Sequence, residues 1–424
     1  MPAYYLGIDF GTSACRACVI DADRRECASA ATPLPAPRRD GPAVEQDPAL
    51  WWRALEATLD ALRGRVDLGR VERIAVDGTS STLLLCRPDG TPLTPALMYN
   101  DSRATAEAGR IAAVAPADSP ARGASSSLAK LLWLARGVEG EWVALHQADW
   151  LAGRLCGRYG FSDENNALKL GYDVQARRWP DWLQALDLAP GRLPAVRVPG
   201  TPLAPVQPQW QTRWGFGADT RVVAGTTDST AAFLATGART PGTAVTSLGS
   251  TLVLKVLAGA PVAASRYGVY SHRLGERWLA GGASNSGGAV LRQFFDDRTL
   301  AALSAQLRPH RPGCLNYYPL PAPGERFPVN DPRLPPVLTP RPQSDLRFLQ
   351  GLLEGIARIE RLGYRRLAEL GAPWPGRVIT VGGGAANDAW RRMRERILGV
   401  PVETALHQEA AYGAARLARD GVRS

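Results

Sequence analysis

Two short segments constrain this chain more than any others: Asp9-Phe10-Gly11-Thr12-Ser13 and Ser247-Leu248-Gly249-Ser250-Thr251. Each sets a glycine and neighbouring hydroxyls in a tight turn between two strand patterns, at comparable points in the two halves of the chain. Such a turn aims consecutive N–H groups at one point and can wrap phosphate oxygens. Met singly, either segment also reads as a plain hairpin turn with a capping residue. Two of them, one per half, predict a phosphate clamp. Asp9 ends a strand that reads as buried, where an idle carboxylate is expensive.

The surrounding pattern is α/β. Strands are expected over 4–10, 14–21 and 26–32, and Asp47-Pro48 opens a helix as N-cap and N1 proline. A strand over 74–77 runs into Gly78-Thr79-Ser80-Ser81, and another covers 82–86. Residues 103–190 read as mostly helical, with tryptophans as core. The strand 221–224 leads into Gly225-Thr226-Thr227-Asp228-Ser229 and a small-residue helix over 230–237. Residues 309–343 are proline-rich but interspersed with Tyr317, Tyr318 and Phe327, which predicts a long ordered loop. A helix follows over about 345–370. The strand Val378–Val381, the turn Gly382-Gly383-Gly384 and a helix with Trp390, Met393 and Ile397 come after it. At 424 residues the chain is too long for one core, and two domains are expected.

Charge and cysteine point away from several function classes. The net charge is +10, but only Lys130, Lys169 and Lys255 are lysines among 50 basic residues, and the arginines are interleaved with acids. No basic block or basic-aromatic stripe emerges, so nucleic acid is not an expected partner. Cys15 and Cys18 form a C-x-x-C without a second ligand pair, and residues three apart on a strand face opposite sides, so packing is expected there and not zinc. No secretory leader or membrane-spanning run is read, which makes a cytoplasmic protein the expectation. Oligomeric state is not legible.

Phosphoryl transfer needs backbone donors, a metal and a base for the acceptor hydroxyl. Asp228, at a strand-to-helix transition, reads as a helix N-cap or as a general base or metal-shell ligand. The glycines at 382–384 lack the spacing of a P-loop or a dinucleotide fold.

Taken together in this order, the motifs resemble those of the FGGY carbohydrate kinases over nearly the whole chain. Gly7–Ser13 is similar to that family's first phosphate motif and Thr246–Thr251 to its second. Ala224–Ser229 is similar to the segment with its catalytic aspartate, and Val381–Asn387 to its adenosine motif. Gly324–Pro328 and Leu353–Ala357 resemble two further landmarks of the family. The resemblance implies an actin-like, ribonuclease H-like α/β fold whose two domains flank a catalytic cleft. Residues 1–235 with 409–424 would form an N-terminal sugar-binding domain, and 236–408 a C-terminal nucleotide-binding domain. It implies ATP and Mg²⁺ as cofactors, Asp228 as base, and Asp9 holding Mg²⁺ through water and touching the sugar. Gly11, Thr12, Ser13, Thr246, Gly249, Ser250 and Thr251 would hold the phosphates, and Gly383, Gly384, Asn387 and Trp390 the adenine.

The acceptor is implied by one departure. Asp77-Gly78-Thr79-Ser80-Ser81-Thr82 stands where xylulose kinases present a histidine turn, and it is similar to ribulose kinases, most of all to the short D-ribulose kinases of cyanobacteria and plant plastids. The expected substrate is D-ribulose contacted by Ser80, with D-xylulose or a related pentulose or pentitol as the alternative. Ser80 could equally be a turn residue satisfying local backbone. Tyr99-Asn100-Asp101-Ser102-Arg103 keeps part of the family's W-x-D-x-R pattern, so Asp101 and Arg103 could contact sugar or brace the domain as an ion pair. Asp163 and Asn165 are similarly open. A rival from another class is an actin- or Hsp70-like conformational ATPase. A degenerate nucleotide sensor is disfavoured because both Asp9 and Asp228 are present.

Overall fold

A computed structural model describes residues 3–188 and 190–422. The chain forms two compact units. The first runs to Gly237 and takes up the chain again from His407; the second spans Ala238–Leu406.

The first unit is built on a six-stranded sheet. Its strands are β1 (Tyr4–Phe10), β2 (Ala14–Asp21), β3 (Glu26–Pro33), β4 (Val71–Gly78), β5 (Pro202–Pro205) and β6 (Arg221–Thr227), in spatial order β5-β6-β4-β1-β2-β3. The turn Gly11-Thr12-Ser13 joins β1 and β2 as an antiparallel pair, and β3 continues that meander. β1, β4 and β6 run parallel, so their carboxyl ends lie along one edge of the sheet. Residues 74–78 of β4 are all buried, as expected of a central strand covered on both faces. A smaller five-stranded sheet, with the Ser127–Ala135 helix against it, encloses a second core.

Cys15 and Cys18 take opposite faces of β2. Cys15 joins the core that holds Trp51, and Cys18 packs with Ala411 and Tyr412. No cluster of three potential metal ligands forms among the described residues, and no helix among them is long and apolar enough to cross a membrane.

The region 103–190 is less helical than expected. Helices Thr105–Val114, Ser127–Ala135 and Gln147–Cys156 are interrupted by strands Val143–His146 and Phe161–Asp163. The run Val143-Ala144-Leu145-His146 is wholly buried and pairs with Leu83–Cys86, so tertiary pairing overrides a helical reading of a short apolar stretch.

The second unit repeats the plan. β7 (Thr243–Leu248) and β8 (Leu252–Ala258) form the hairpin, and β9 (Tyr270–Leu274) and β10 (Arg277–Ser284) extend it antiparallel. β11 (Arg377–Val381) and β12 (Val402–Thr404) lie parallel to β7 on its other side. The order β9-β10-β8-β7-β11-β12 thus matches the first sheet from its hairpin through its parallel strands. The Asp345–Glu369 helix covers it with Phe348, Leu352, Ile356, Ile359 and Leu367.

The helix Ala410–Asp420 covers the first sheet at very close range. A Cβ on Gly7 of β1 would lie 2.0 Å from the carbonyl oxygen of Ala411, and one on Gly413 would lie 1.8 Å from that of Ala231. Glycine is required at both positions because backbone meets backbone. Gly413→Val should therefore destabilise the chain by about 3 kcal/mol, the upper range for forced overpacking, read as a lowered Tm or urea midpoint. An unchanged midpoint would contradict this packing.

Candidate functional site

The parallel strands of the first unit deliver three carboxylates to one edge. Asp9 closes β1, Asp77 lies opposite it in register near the end of β4, and Thr226 of β6 sits across from Asp77, two residues before Asp228. Carboxyl ends of parallel strands are where open α/β sheets gather their ligands. Asp228 starts the helix Asp228–Ala235 and its Oδ1 accepts from the N–H of Ser229 at 2.6 Å. The N-cap position itself belongs to Thr227, whose side chain makes no capping bond and pairs instead with the Thr230 hydroxyl at 2.9 Å.

Asp9 is only 4% exposed and meets the Arg16 guanidinium at 3.2 Å. Burial raises its pKa, against the pull of Asp77 and Arg16. Asp77 is completely buried, and neither of its oxygens meets a protein donor among the described residues. Burial, then the charge of Asp9 beside it, and then that of Asp228, hold Asp77 well above the ordinary carboxylate range. Two charged carboxylates have no donor between them, whereas a protonated Asp77 can donate to Asp9.

The turn after β4 is pinned from several sides. Gln147 Oε1 accepts from the Thr79 N–H and from its hydroxyl, both at 3.0 Å, and the Gln147 N–H donates to the Thr82 carbonyl at 3.1 Å. The Thr79 and Thr82 hydroxyls pair at 2.5 Å, and the Thr82 N–H closes the turn onto the Thr79 carbonyl. Ser81 occupies the left-handed region at φ 72°. The Ser80 side chain is partly exposed and makes no hydrogen bond among the described residues. Among the described residues its hydroxyl is without a protein partner and partly exposed, whereas the equally unbonded Ser81 hydroxyl is buried. In the turn after β1, Gly11 N–H bonds to the Ala14 carbonyl, while the Thr12 and Ser13 N–H groups and hydroxyls make no such bond among the described residues.

Asp101 and Arg103 are spoken for. Asp101 is fully buried; its Oδ2 accepts from the Val44 N–H at 2.7 Å and from Arg103 at 2.6 Å. Arg103 also grips Glu45 at 2.7 Å and lies over Trp133. Of the two roles open for this pair, these contacts are those of the brace. Asp163 is likewise buried, accepting from the N–H groups of Asn165 and Asn166, while Asn165 Nδ2 donates to Thr226 Oγ1 at 3.0 Å.

His146 meets Asp149 Oδ2 at 2.9 Å and Ser127 Oγ at 3.0 Å, the connectivity of a nucleophilic triad. Ser127 and His146 are both wholly buried, so no substrate reaches the hydroxyl. This relay ties helices together.

The second unit holds a cavity of about 1030 Å³. Its walls include Gly249 and Ser250 from the turn after β7, and Gly383, Gly384, Asn387 and Trp390 after β11. Gly382 takes φ 85°, where a Cβ would strike the Leu248 carbonyl, so the two glycine segments approach backbone to backbone. Asn387 caps the helix Asp388–Leu398 through the Trp390 N–H and donates to Ser304 at 2.9 Å. Trp390 is buried, with its indole N–H on the Leu353 carbonyl.

Thr251 lies in the same turn but is not among the cavity-lining residues. Thr246, expected among the phosphate-holding residues, has its hydroxyl engaged inside the unit. It is wholly buried and its hydroxyl engages Glu360 at 2.6 Å and Tyr364 at 2.7 Å. Glu360 in turn holds Arg394 through two 2.7 Å bonds, so Thr246 belongs to a closed interior network.

Sequence reading passed over Asp77, Arg16 and Gln147, which the structure places beside Asp9 and the turn after β4. Asp77 carried the same signal as Asp9, an acid at the end of a buried strand. The others show only once the turns are placed.

Comparison with known proteins agrees with this geometry. Residues 4–235 match the N-terminal domain of the FGGY family of carbohydrate kinases, and residues 244–419 match its C-terminal domain. The chain belongs to the FGGY family of carbohydrate kinases. It has that family's two-domain, actin-like and ribonuclease H-like fold. It is 27% identical to the xylulose kinase of Escherichia coli K12 over 98% of this chain and 89% of that one. A Brucella ovis structure described as a xyloylose kinase superposes with a TM-score of 0.88 at 26% identity, covering 99% of this chain and 90% of the other. A gluconate kinase from Lactobacillus acidophilus reaches a TM-score of 0.86 at 19% identity over 100% and 89% of the two chains, a likeness of fold alone. The likeness to cyanobacterial and plastid ribulose kinases finds no support in these comparisons.

Asp77 supplies a test of the acidic cluster. A carboxyl whose folded pKa is raised keeps its proton longer in the native state, so the native state loses stability as pH climbs above the unfolded value near 3.8. Asp77→Asn removes that slope. Its Tm advantage over wild type should be wider at pH 8 than at pH 5, and a gap that narrows with pH would contradict the buried pair.

Proposed function

We propose that this carbohydrate kinase transfers the γ-phosphate of ATP, supplied with Mg²⁺, to a hydroxyl of a pentulose, with Asp228 as general base. The observation that carries this reading is the gathering of Asp9, Asp77 and Asp228 at one sheet edge beside the open turn Gly11-Thr12-Ser13. Phosphoryl transfer is mostly positioning and electrostatics. The free N–H groups of Thr12 and Ser13 suit phosphate oxygens, and Arg16 adds positive charge next to Asp9. In the second unit, Gly249, Ser250, Gly383, Gly384, Asn387 and Trp390 line a cavity of nucleotide size.

The donor set also fits the metal. No three-ligand cage forms among the described residues, and Mg²⁺ keeps its waters and binds through one or two carboxylates and substrate phosphates. Asp9 would hold it through water, and the ion would neutralise charge on the phosphates when bound.

D-Xylulose is the acceptor that the relatives favour, since the E. coli and B. ovis proteins are named for it. D-Ribulose is the second reading, favoured by the turn itself, where the short Ser80 hydroxyl can both donate and accept. The pentuloses differ at one hydroxyl, and one such hydrogen bond changes kcat/KM by roughly 5- to 150-fold.

A coupled ADP-release assay over both pentuloses, hexuloses, polyols and glycerol tests the reading. Pentuloses should lead the panel, with D-xylulose ahead. A D-ribulose lead by about fivefold or more would hand the assignment to the second reading, and no turnover of either pentulose would end both. Asp228→Asn should lower kcat by about 10²–10⁴ while ATP binding and Tm hold. A variant that keeps a third of wild-type kcat would remove Asp228 from the role of base.

A further inference from the structure

Lys130 is fully enclosed, whereas Lys169 and Lys255 are partly exposed. It sits on the helix Ser127–Ala135 among Leu128, Ala129, Leu131 and Leu134, an apolar position where an ammonium is costly. Burial pulls the amine down to about 7, with the Asp101 charge opposing that fall and Lys169 adding to it. Its Nζ donates to two main-chain carbonyls, Ser81 at 2.8 Å and Met98 at 2.7 Å.

Those carbonyls belong to different loops. Ser81 is the left-handed corner of the turn that holds Ser80 out, at a φ of 72° that only glycine adopts freely. Met98 opens the Tyr99–Arg103 loop, and its carbonyl also accepts from the Asp101 N–H. Gln147 fixes Thr79 and Thr82 at the two ends of the turn, but no other side chain is bonded to its corner among the described residues. An apolar residue would fill the helix face as well; it could not fix the spacing of two carbonyls on separate loops.

We propose that Lys130 is the positioning residue for acceptor recognition: by bridging the Ser81 and Met98 carbonyls it fixes the turn that presents the Ser80 hydroxyl, and so sets discrimination between pentuloses. The inference rests on the pentulose-kinase reading above.

Lys130→Met, of similar length and without donors, tests it in the full-length enzyme. Sugar KM should rise about tenfold, and the ratio of kcat/KM for D-xylulose and D-ribulose should move toward one, while ATP KM stays within about twofold. A residue that only braced the fold would lower Tm and the active fraction without moving KM or that ratio. A folded K130M with sugar KM and ratio both within about twofold of wild type overturns the proposal. Should K130M fold poorly, it is made in a Ser81→Gly background, where glycine takes the left-handed corner without strain, and compared with S81G alone. If wild type turns over neither pentulose, the substrate reading has failed and not this one. The same sugar-KM comparison then runs on the carbohydrate it does phosphorylate.

Discussion

The structure turns on how three carboxylates are kept together at one sheet edge. Parallel pairing of β1 with β4, and of β4 with β6, leaves the chain no freedom to separate Asp9 from Asp77 or to carry Asp228 away from them. In an interior of low polarity such a group cannot be fully charged without large cost. Arg16 offsets part of the charge on Asp9, and a proton on Asp77 offsets more. The site is left short of positive charge.

The second unit repeats the sheet but treats buried charge differently. Arg394 and Glu360 are both fully enclosed and bonded twice to each other, with Thr246, Tyr364 and Thr380 taking the remaining valences. Nothing in that network is left for a ligand. Its role is to hold β7, β11 and two helices in fixed relation beneath the glycine turns. One plan therefore serves two ends: an under-compensated acidic edge in one unit, and a neutralised base beneath an open cavity in the other.

Much of this was legible in the chain because it depends on local chemistry. Both glycine-hydroxyl turns, the Asp47-Pro48 helix start and the strand that delivers Asp228 follow from residue types over a few positions. What escaped depends on contacts distant in sequence. Thr246 resembled a phosphate ligand until Glu360, over a hundred residues away, claimed its hydroxyl. Asp101 and Arg103 looked open until Val44 and Glu45 closed around them. The strand Val143–His146 was hidden because three apolar residues and a histidine carry no period of their own, and only its pairing with Leu83–Cys86 decides it. The turn after β4 was found, yet the lysine bonded to it was not, since a lysine inside an apolar helix pattern gives no sign of what it reaches.

The helix Ala410–Asp420 belongs by packing to the first unit, although it comes almost last in the chain. Synthesis proceeds from the amino end, and domains fold as they emerge. The sheet, complete once its strand Arg221–Thr227 is made, must therefore wait until Ala410 and the residues after it emerge before the face around Gly7, Cys18 and Ile20 is covered. For that interval a nascent chain exposes an apolar sheet surface to everything else in the crowded space around the ribosome. The helix Ala410–Asp420 is what ends its hazard of misassociation.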